Sequence, residues 1–437
     1  QRLMNLRIKI AYLLIFSISF SCANDEDDEM SQNVDAPNIL LIIADDMGLD
    51  ATPGYDFGTV KPDMPNLQNM INTGITFNNL WSNPVCTPTR GTILTGKYGF
   101  RTNVLKVDDE MSVSETSLQK HLDNNVSGYS HAVIGKWHLS NDANHPNNMG
   151  VDYFAGFLSG GVQSYTNWNL TENGVTGSSN TYTTTKFTDL AIDWLGKQTQ
   201  PWFLWLAYNA PHTPFHLPPN DLHSQGSLPS DQASIDANPL PYYMAMLEAM
   251  DTEMGRLINS MTEEERDNTV IIFIGDNGTP GQVVQTYATR RAKGSVYQGG
   301  VNVPMIIAGK DVTRINQTED ALISTTDLFA TISNIAGINT TTINDSQSFA
   351  ALLTSSNFTN SREYVYTEIE GDIASDYTIR NANHKYILFE DGTEALFNLS
   401  INPLENPDLL STNQLPLSIE DSDIKDELTS ELMSIRQ

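Results

Sequence analysis

The chain has 437 residues, of which 39% are hydrophobic and 18% are charged. This length and composition suit a globular protein of two or three domains, and they exclude a disordered, collagenous or coiled-coil chain. With 53 acidic and 24 basic residues the formal net charge is −29, which argues against nucleic acid or an anionic membrane surface as a partner bound by general electrostatics. If the substrate is itself an anion, positive charge must be concentrated in one pocket.

Residues 1–22 have the pattern of a signal peptide that ends like a lipobox. Arg7 and Lys9 precede an apolar run over residues 10–20, which is too short to span a bilayer comfortably, and small residues frame Cys22. We expect Cys22 to be acylated, which makes the protein an exported lipoprotein anchored by lipid to a Gram-negative outer membrane, at the cell surface or facing the periplasm. Cleavage near Ala23 without a lipid is the alternative. The acidic run at 24–29 predicts a disordered linker over residues 23–36.

The pattern from residue 37 to residue 340 predicts an α/β domain. Short, uninterrupted apolar runs predict buried strands at 38–44, 132–135, 202–207, 269–274 and 303–308. Apolar residues at helical spacing predict helices over 242–258 and 327–336, and strands that alternate with helices favour a mostly parallel sheet. After residue 337 the chain becomes rich in Thr, Ser and Asn. Short β-like segments and a helix over 420–435 then predict a smaller α+β subdomain over residues 341–437.

Polar side chains follow several of the predicted strands, where ligands bind in open α/β sheets. Asp45 and Asp46 come directly after the first strand, and Asp276 follows the strand at 269–274. Adjacent carboxylates repel each other unless a cation joins them, although a solvated turn is the alternative reading of this pair. Lys136 and His138 follow the strand at 132–135, and their i, i+2 spacing on an extended segment places them on one side.

The segment Cys86-Thr87-Pro88-Thr89-Arg90 places a thiol one turn before a guanidinium, in a Pro-containing turn that opens toward a helix. A helix N-terminus and an arginine both favour an anion there. By itself, the same segment also suits a buried structural cysteine. We expect Cys22 and Cys86 to have separate roles and to form no disulfide.

This Cys-x-Pro-x-Arg motif, continued by the sequence GTILTGKY at 91–98, resembles the site at which type I sulfatases are modified. Over about residues 37–410 the chain resembles a formylglycine-dependent sulfatase of the alkaline phosphatase superfamily. Further matches are GKWH at 135–138, PHTP at 211–214, GDNG at 275–278 and AKGSVYQGG at 292–300, the last with Gln298 where the family most often has Glu. The resemblance implies an alkaline-phosphatase-like fold with a large mixed, mostly parallel sheet between helices and a C-terminal subdomain built on a short antiparallel sheet.

The resemblance also implies the cofactors and the site residues. Cys86 would be oxidised to formylglycine by a maturase, and one calcium ion would be bound, with magnesium as the alternative because oxygen donors suit hard cations. The implied metal ligands are Asp45, Asp46, Asp276, Asn277 and the modified Cys86. The implied catalytic residues are Cys86, Arg90, Lys136, His138, His212 and Lys293.

In the implied mechanism, a hydroxyl of the hydrated aldehyde attacks sulfur, and Arg90, Lys136 and Lys293 hold the sulfate oxygens. His212 protonates the leaving alcohol, and His138 accepts a proton as sulfate is expelled.

An exported enzyme of this kind is expected to act on sulfated polysaccharides or oligosaccharides, first on algal ulvan, carrageenan or fucoidan and second on host glycosaminoglycans. Candidate specificity residues outside the shared motifs are His145, Trp168, His216, Arg290 and Arg291. One alternative is a phosphodiesterase or phosphonate monoester hydrolase of the same superfamily. The other is a non-catalytic glycan-binding lipoprotein.

Overall fold

A computed structural model of the chain describes residues 36–126, 128–357 and 362–437. The predicted signal peptide, Cys22 and the predicted linker up to residue 35 lie outside these described residues. Within the described ranges, no helix has both the length and the apolar character needed to cross a membrane.

A large mixed sheet of eleven strands forms the centre of the fold. Its strands are β1 Asn38–Ala44, β2 Gly74–Trp81, β3 Ser130–Lys136, β4 Tyr153–Phe157, β5 Trp168–Glu172, β6 Val175–Ser179, β7 Trp202–Ala207, β8 Thr269–Gly275, β9 Asn302–Gly309, β10 Gln317–Glu319 and β11 Ile323–Ser324. Their spatial order is β10-β2-β9-β8-β1-β7-β3-β4-β5-β6, with β11 beside β2. The five central strands from β8 to β4 are parallel, whereas β9 is antiparallel to both neighbours and β5 and β6 form an antiparallel edge.

Helices cover both faces of this sheet. The described helices are α1 Pro65–Thr73, α2 Cys86–Thr95, α3 Gly99–Thr102, α4 Leu118–Asn125, α5 His145–Asn148, α6 Thr183–Leu195, α7 Gln232–Ala237, α8 Leu240–Ser260, α9 Glu263–Asp267, α10 Gln298–Val301, α11 Asp327–Ile335 and α12 Ile419–Ile435. Alternate residues of β1 enter opposite cores, with Leu40 and Ile42 facing α1, α6 and α8 and Leu41 and Ile43 facing α2, α4 and α11. Burial on both faces explains why β1 is an uninterrupted apolar run.

The C-terminal part of the chain forms a smaller α+β unit. Its four-stranded antiparallel sheet contains β14 Val365–Glu370, β15 Ser375–Arg380, β16 His384–Leu388 and β17 Glu394–Asn398, preceded by the two-stranded pair of β12 Thr342–Ile343 and β13 Ser346–Gln347. Helix α12 packs on this sheet through Leu428 and Leu432. Phe349 and Leu352 instead belong to the core of the large sheet, so the four-stranded unit begins later than the predicted boundary at residue 341. The predicted fold class is confirmed.

Four neighbouring strands bring the predicted polar residues to one edge. In the order β8-β1-β7-β3, all four strands are parallel, so their carboxyl ends meet there. Asp276 follows β8, Asp45 follows β1, His212 lies five residues after β7, and Lys136 ends β3. The topology therefore collects acidic and basic side chains that are up to 231 residues apart in sequence.

Candidate active site

Three buried carboxylates at this edge are each paired with a cation. Lys136 Nζ lies 2.7 Å from Asp45 Oδ2, and Lys293 Nζ lies 2.7 Å from Asp46 Oδ2. Arg90 Nη2 donates to Asp276 Oδ2 at 2.8 Å, while its Nη1 donates to the carbonyl of Lys136. The Arg90, Lys136, Asp45 and Asp276 side chains are completely buried. The fold therefore fixes three positively charged side chains at one site of a strongly acidic protein.

The acidic side chains fit a divalent cation. Asp45 Oδ1 and Asn277 Oδ1 are buried acceptors without a hydrogen-bond donor in the described part of the chain. One oxygen each from Asp45 and Asp276 and the sulfur of Cys86 lie within 4.8 Å of one another. Buried acceptors require a partner, and oxygen donors of this kind suit calcium or magnesium. Asp46, with φ of 75°, joins the cluster by accepting a hydrogen bond from Asn277 Nδ2 at 2.8 Å.

Cys86 is the first residue of α2, so the positive end of the helix dipole points at its side chain. Its sulfur is buried and lies 3.2 Å from Nδ1 of His138, and it forms no disulfide in the described structure. Burial raises the pKa of the Cys86 thiol, an effect that the nearby Lys136 partly opposes.

His138 is held between Cys86 and a second carboxylate. Its Nε2 lies 2.8 Å from Asp108 Oδ1 and 3.1 Å from Thr87 Oγ1. A φ of 58° places its backbone in the left-handed region, and its amide donates to the carbonyl of Leu158 at 3.0 Å. Burial, reinforced by the positive charges of Lys136 and Arg90, lowers the pKa of His138 well below its usual range. A neutral ring that donates from Nε2 to Asp108 presents a lone pair on Nδ1 to residue 86.

His212 lies on the more open side of the site, and its side chain is 18% exposed. Its Nδ1 lies 2.8 Å from the carbonyl of Thr213, so this nitrogen must carry a proton and donate it. Its Nε2 points inward and lies 3.8 Å from Asp46 Oδ2. The carbonyl of His212 accepts a hydrogen bond from the Tyr165 hydroxyl at 2.6 Å. Nε2 is therefore the nitrogen through which His212 can exchange a proton with a bound molecule.

Burial and the charges of neighbouring side chains shift the pKa values of Asp46, Asp276 and Lys293. Although burial opposes ionisation of Asp46, the positive charges led by Lys293 hold the pKa of this carboxyl well below its usual range. Burial and the neighbouring charge of Asp45 raise the pKa of Asp276 to about 6, despite the opposing charge of Arg90. The pKa of Lys293 is raised because attraction to Asp46 outweighs the effect of burial. Asp46 and Lys293 therefore form a fully ionised pair at neutral pH.

The structure brings together all ten residues predicted for catalysis and metal binding, but it places the five predicted specificity residues differently. His145 is buried, with its ring nitrogens bonded to Trp137 Nε1 and to the carbonyl of Met111. His216 is bonded through both nitrogens to the Pro214 carbonyl and the Tyr182 hydroxyl. Because both ring nitrogens of each histidine are bonded within the protein, neither offers a free nitrogen to a substrate.

The remaining three specificity candidates, Arg291, Arg290 and Trp168, lie in different environments. Arg291 donates to the Glu405 carbonyl and stacks on the Tyr297 ring with its guanidinium carbon 4.4 Å from the centroid, so it attaches the C-terminal unit. Arg290 is exposed. Trp168 is 5% exposed and donates from Nε1 to the Thr181 carbonyl, while one side of the residue lines a surface cavity.

Sequence reasoning missed Asp108, Thr87 and Tyr165. Asp108 lies in a loop between α3 and α4, and nothing in its local sequence connects it with a histidine 30 residues later. Thr87 occupies the variable position of the Cys-x-Pro-x-Arg motif, so the motif gave it no role. The missed residues act through contacts that only the folded chain creates.

Comparison with known proteins places residues 37–338 in the family described as Sulfatase. The chain is 27% identical over 362 residues to the uncharacterized sulfatase YdeN of Escherichia coli strain K12, an alignment that covers 69% of this chain and 63% of that protein. The chain thus spans less than two thirds of this relative's length.

Solved structures share the fold across nearly the whole chain. Ps i-CgsB in complex with k-i-k-neocarrahexaose matches with a TM-score of 0.76 and 23% identity, covering 91% of this chain and 92% of that one. BT4656 in complex with D-glucosamine-2-N,6-O-disulfate matches with a TM-score of 0.73 and 20% identity, covering 91% and 97%. At these identities the likeness establishes the architecture.

Proposed function

The chain belongs to the sulfatase family, and from this we propose that it hydrolyses sulfate esters of carbohydrates at the site around Cys86. The observation that carries the proposal is the position of Cys86. It lies at a helix N-terminus beside Arg90, within a group that also contains Lys136 and Lys293. Three cations around one nucleophile position suit a tetrahedral anion whose charge grows during the reaction.

We propose calcium as the resident cation, with magnesium as the alternative. Asp45, Asp46, Asp276 and Asn277 would hold it, since their oxygens include the buried acceptors Asp45 Oδ1 and Asn277 Oδ1 that have no donor in the described structure. When bound, the ion would withdraw electron density from the sulfate oxygens and acidify the nucleophile beside it.

We also propose that a maturase converts Cys86 to formylglycine, which would supply an oxygen nucleophile through its hydrated aldehyde. The match of residues 86–90 to the Cys-x-Pro-x-Arg motif supports this modification. Arg90, Lys136 and Lys293 orient the sulfate group and neutralise its charge. In its doubly protonated form His212 gives the proton on Nε2 to the leaving alcohol and keeps the one on Nδ1, and Nδ1 of His138 accepts a proton from residue 86.

The carbohydrate substrate class draws support from two fold relatives, one bound to a neocarrahexaose and the other to a sulfated glucosamine. We propose algal sulfated polysaccharides or their oligosaccharides as the first candidates and glycosaminoglycans as the second. Export as an outer-membrane lipoprotein through Cys22 is proposed from the sequence pattern, and it would bring the enzyme to such polymers.

A direct test compares 4-nitrophenyl sulfate with bis(4-nitrophenyl) phosphate, using protein produced together with a formylglycine-generating maturase. We expect hydrolysis of the sulfate and much slower hydrolysis of the phosphate diester, with Cys86→Ala inactive on both. A preference for the diester would identify a phosphodiesterase of the same superfamily. No turnover of either compound, with glycan binding retained, would identify a binding protein instead.

A further inference from the structure

The segment that follows β4 runs directly over both histidines of the site. The amide of His138 donates to the carbonyl of Leu158 at 3.0 Å. A Cβ added at Gly160 would lie 2.8 Å from Cε1 of His138, and one at Gly161 would lie 3.1 Å from Cε1 of His212. The backbone of this segment therefore lies against both imidazoles. A molecule bound along the side chains of this segment would lie next to the site.

A cavity of about 750 Å³ opens along this same segment. Its walls are Asn141, residues 157–159 and 161–163, Asn167 and the edge hairpin formed by β5 and β6. Small-molecule sites have volumes of roughly 300–1,000 Å³, so the space suits a sugar unit with part of its neighbour. Trp168, one of the predicted specificity residues, forms part of the wall while its indole nitrogen is bonded to the Thr181 carbonyl.

The lining of this cavity contains amides and hydroxyls and no charged side chain among the described residues. The carboxamides of Asn141, Gln163, Asn167 and Asn169 have no hydrogen-bond partner within the described structure, so they are available to a ligand. An amide both donates and accepts, which matches a sugar hydroxyl that does the same.

The absence of cations from this lining limits what the cavity can take. A second sulfate or a carboxylate on the bound sugar would give up part of its hydration and gain no ionic partner from the described lining residues. We infer that this cavity is the subsite for the alcohol part of the ester and that it takes an uncharged sugar unit. This inference rests on the proposed function. It assigns as substrates hexose units whose only charged group is the sulfate ester that is cleaved, in preference to uronic acids or N-sulfated sugars.

Matched sugars test the inference directly on the maturase-treated enzyme. The probes are methyl galactosides sulfated at O2, O3 or O4, each paired with the galacturonoside sulfated at the same oxygen, so that the pair differs only at C6, which carries a neutral hydroxymethyl group in one sugar and a carboxylate in the other. We expect kcat/KM to favour the neutral member on the order of tenfold or more at whichever position is hydrolysed. Equal or faster hydrolysis of the uronoside, or hydrolysis of 4-nitrophenyl sulfate but of neither sugar, would overturn the subsite assignment alone. Failure on every ester, including 4-nitrophenyl sulfate, would overturn the proposed function as well.

Variants of the free amides provide a second test. Gln163→Ala and Asn169→Ala should each lower the ratio of kcat/KM for the sulfated galactoside to that for 4-nitrophenyl sulfate by about 2- to 12-fold, as expected for one lost hydrogen bond. Asn148→Ala is the matched control, since Asn148 is an exposed amide on α5 that does not line the cavity, and it should leave this ratio unchanged. If the ratio stays constant in both cavity variants, the inference is wrong.

Discussion

The carboxylate of Asp108 lies 2.8 Å from Nε2 of His138, across the imidazole ring from the sulfur of Cys86, which lies 3.2 Å from Nδ1. In this arrangement the carboxylate holds one nitrogen of the ring, and the other nitrogen faces residue 86. Asp108 is itself held by its backbone amide, which donates to Thr87 Oγ1 at 3.2 Å. A carboxylate on one imidazole nitrogen determines which tautomer the other nitrogen presents.

We predict that Asp108→Asn lowers kcat by about tenfold with little change in KM, because Asp108 positions His138 and does not hold the sulfate. The expected effect is modest compared with a buried Asp–His pair, since the Asp108 side chain is 67% exposed and water can replace part of the interaction. Steady-state kinetics on 4-nitrophenyl sulfate measure the effect. Asp109→Asn is the neighbouring control, because Asp109 instead accepts from the backbone amides of Leu105 and Lys106. A KM effect without a kcat effect would contradict the positioning role.

The polar residues at the carboxyl ends of the parallel strands were predictable from sequence, but the contact between Asp108 and His138 was not. Asp45, Asp276 and Lys136 follow apolar strands, so the rule for ligand positions in parallel sheets already placed them together. Asp108 lies in a loop, and its approach to His138 depends on how that loop packs. His145 and His216 show the opposite failure, because an isolated histidine has the same sequence signal whether its nitrogens are free or bonded inside the fold.

The strands of the large sheet likewise divide into those that the sequence predicted and those that it did not. The central strands β1, β7 and β8 were predictable because burial on both faces leaves a continuous apolar run. By contrast, β5 and β6 form an edge hairpin with mostly exposed side chains, and their sequences lack such a run. Strand β9 was predicted, but its antiparallel direction depends on the path of the connection before it, which periodicity does not encode.

Maturation should govern activity at Cys86. We predict that Cys86→Ala abolishes turnover while thermal unfolding stays close to wild type, because Cys86 forms no disulfide in the described structure. Mass spectrometry of the peptide that contains residue 86 should show the aldehyde or its hydrate in active preparations. Protein made without a maturase is the control, and it should carry a thiol and be nearly inactive. Full activity with an unmodified thiol would refute the proposed mechanism.

Removal of the metal should affect both activity and stability. We predict that exhaustive chelation inactivates the protein and that added calcium restores activity and raises Tm, since an ion at a hundred times its Kd stabilises the folded state by about 2.7 kcal/mol. Asp45→Asn should weaken the calcium-dependent rise in Tm, because Asp45 Oδ1 is one of the buried acceptors with no donor in the described structure. Asp193→Asn, at an exposed position of α6 outside every group of side chains that could hold an ion in the described part of the chain, is the control. Equal thermal responses in both variants would place the ion elsewhere.

The role of His212 predicts a dependence on the leaving group. His212→Ala should reduce hydrolysis of a sugar sulfate by about 10²- to 10⁴-fold, the usual contribution of general acid catalysis, because a sugar alcohol leaves poorly without a proton. The effect on 4-nitrophenyl sulfate should be much smaller, since nitrophenolate needs little protonation. His138→Ala should slow both substrates alike, as its Nδ1 faces residue 86 and not the leaving group. Proportional losses on both substrates in both variants would refute this division.

A buried ion pair within the C-terminal unit contacts the backbone of the catalytic domain at residues 296 and 298. Lys385 Nζ lies 2.6 Å from Glu405 Oε1 and 2.7 Å from the Val296 carbonyl, and both side chains are fully buried. The other carboxylate oxygen of Glu405 accepts from the amide of Gln298. We predict that Glu405→Gln lowers the free energy of unfolding by about 3–5 kcal/mol at pH 7, because it leaves a buried ammonium without its counter-charge. Urea denaturation measures the loss, and Lys385→Met in the same background should recover part of it.

The pH dependence of this pair has a definite sign. Burial lowers the pKa of Lys385 from 10.5 to about 8, even though Glu405 opposes the shift. Below pH 8 both the folded and the unfolded chain hold the proton, so the wild type bears the full cost of burying the ammonium. Between pH 8 and 10.5 the folded chain has released the proton while the unfolded chain still binds it, so stability rises with pH. The free energy of unfolding of the wild type, measured relative to Lys385→Met, should therefore increase by about 3 kcal/mol across this interval. A difference that stays constant from pH 7 to pH 10.5 would show that Lys385 titrates normally and that its burial has no electrostatic cost.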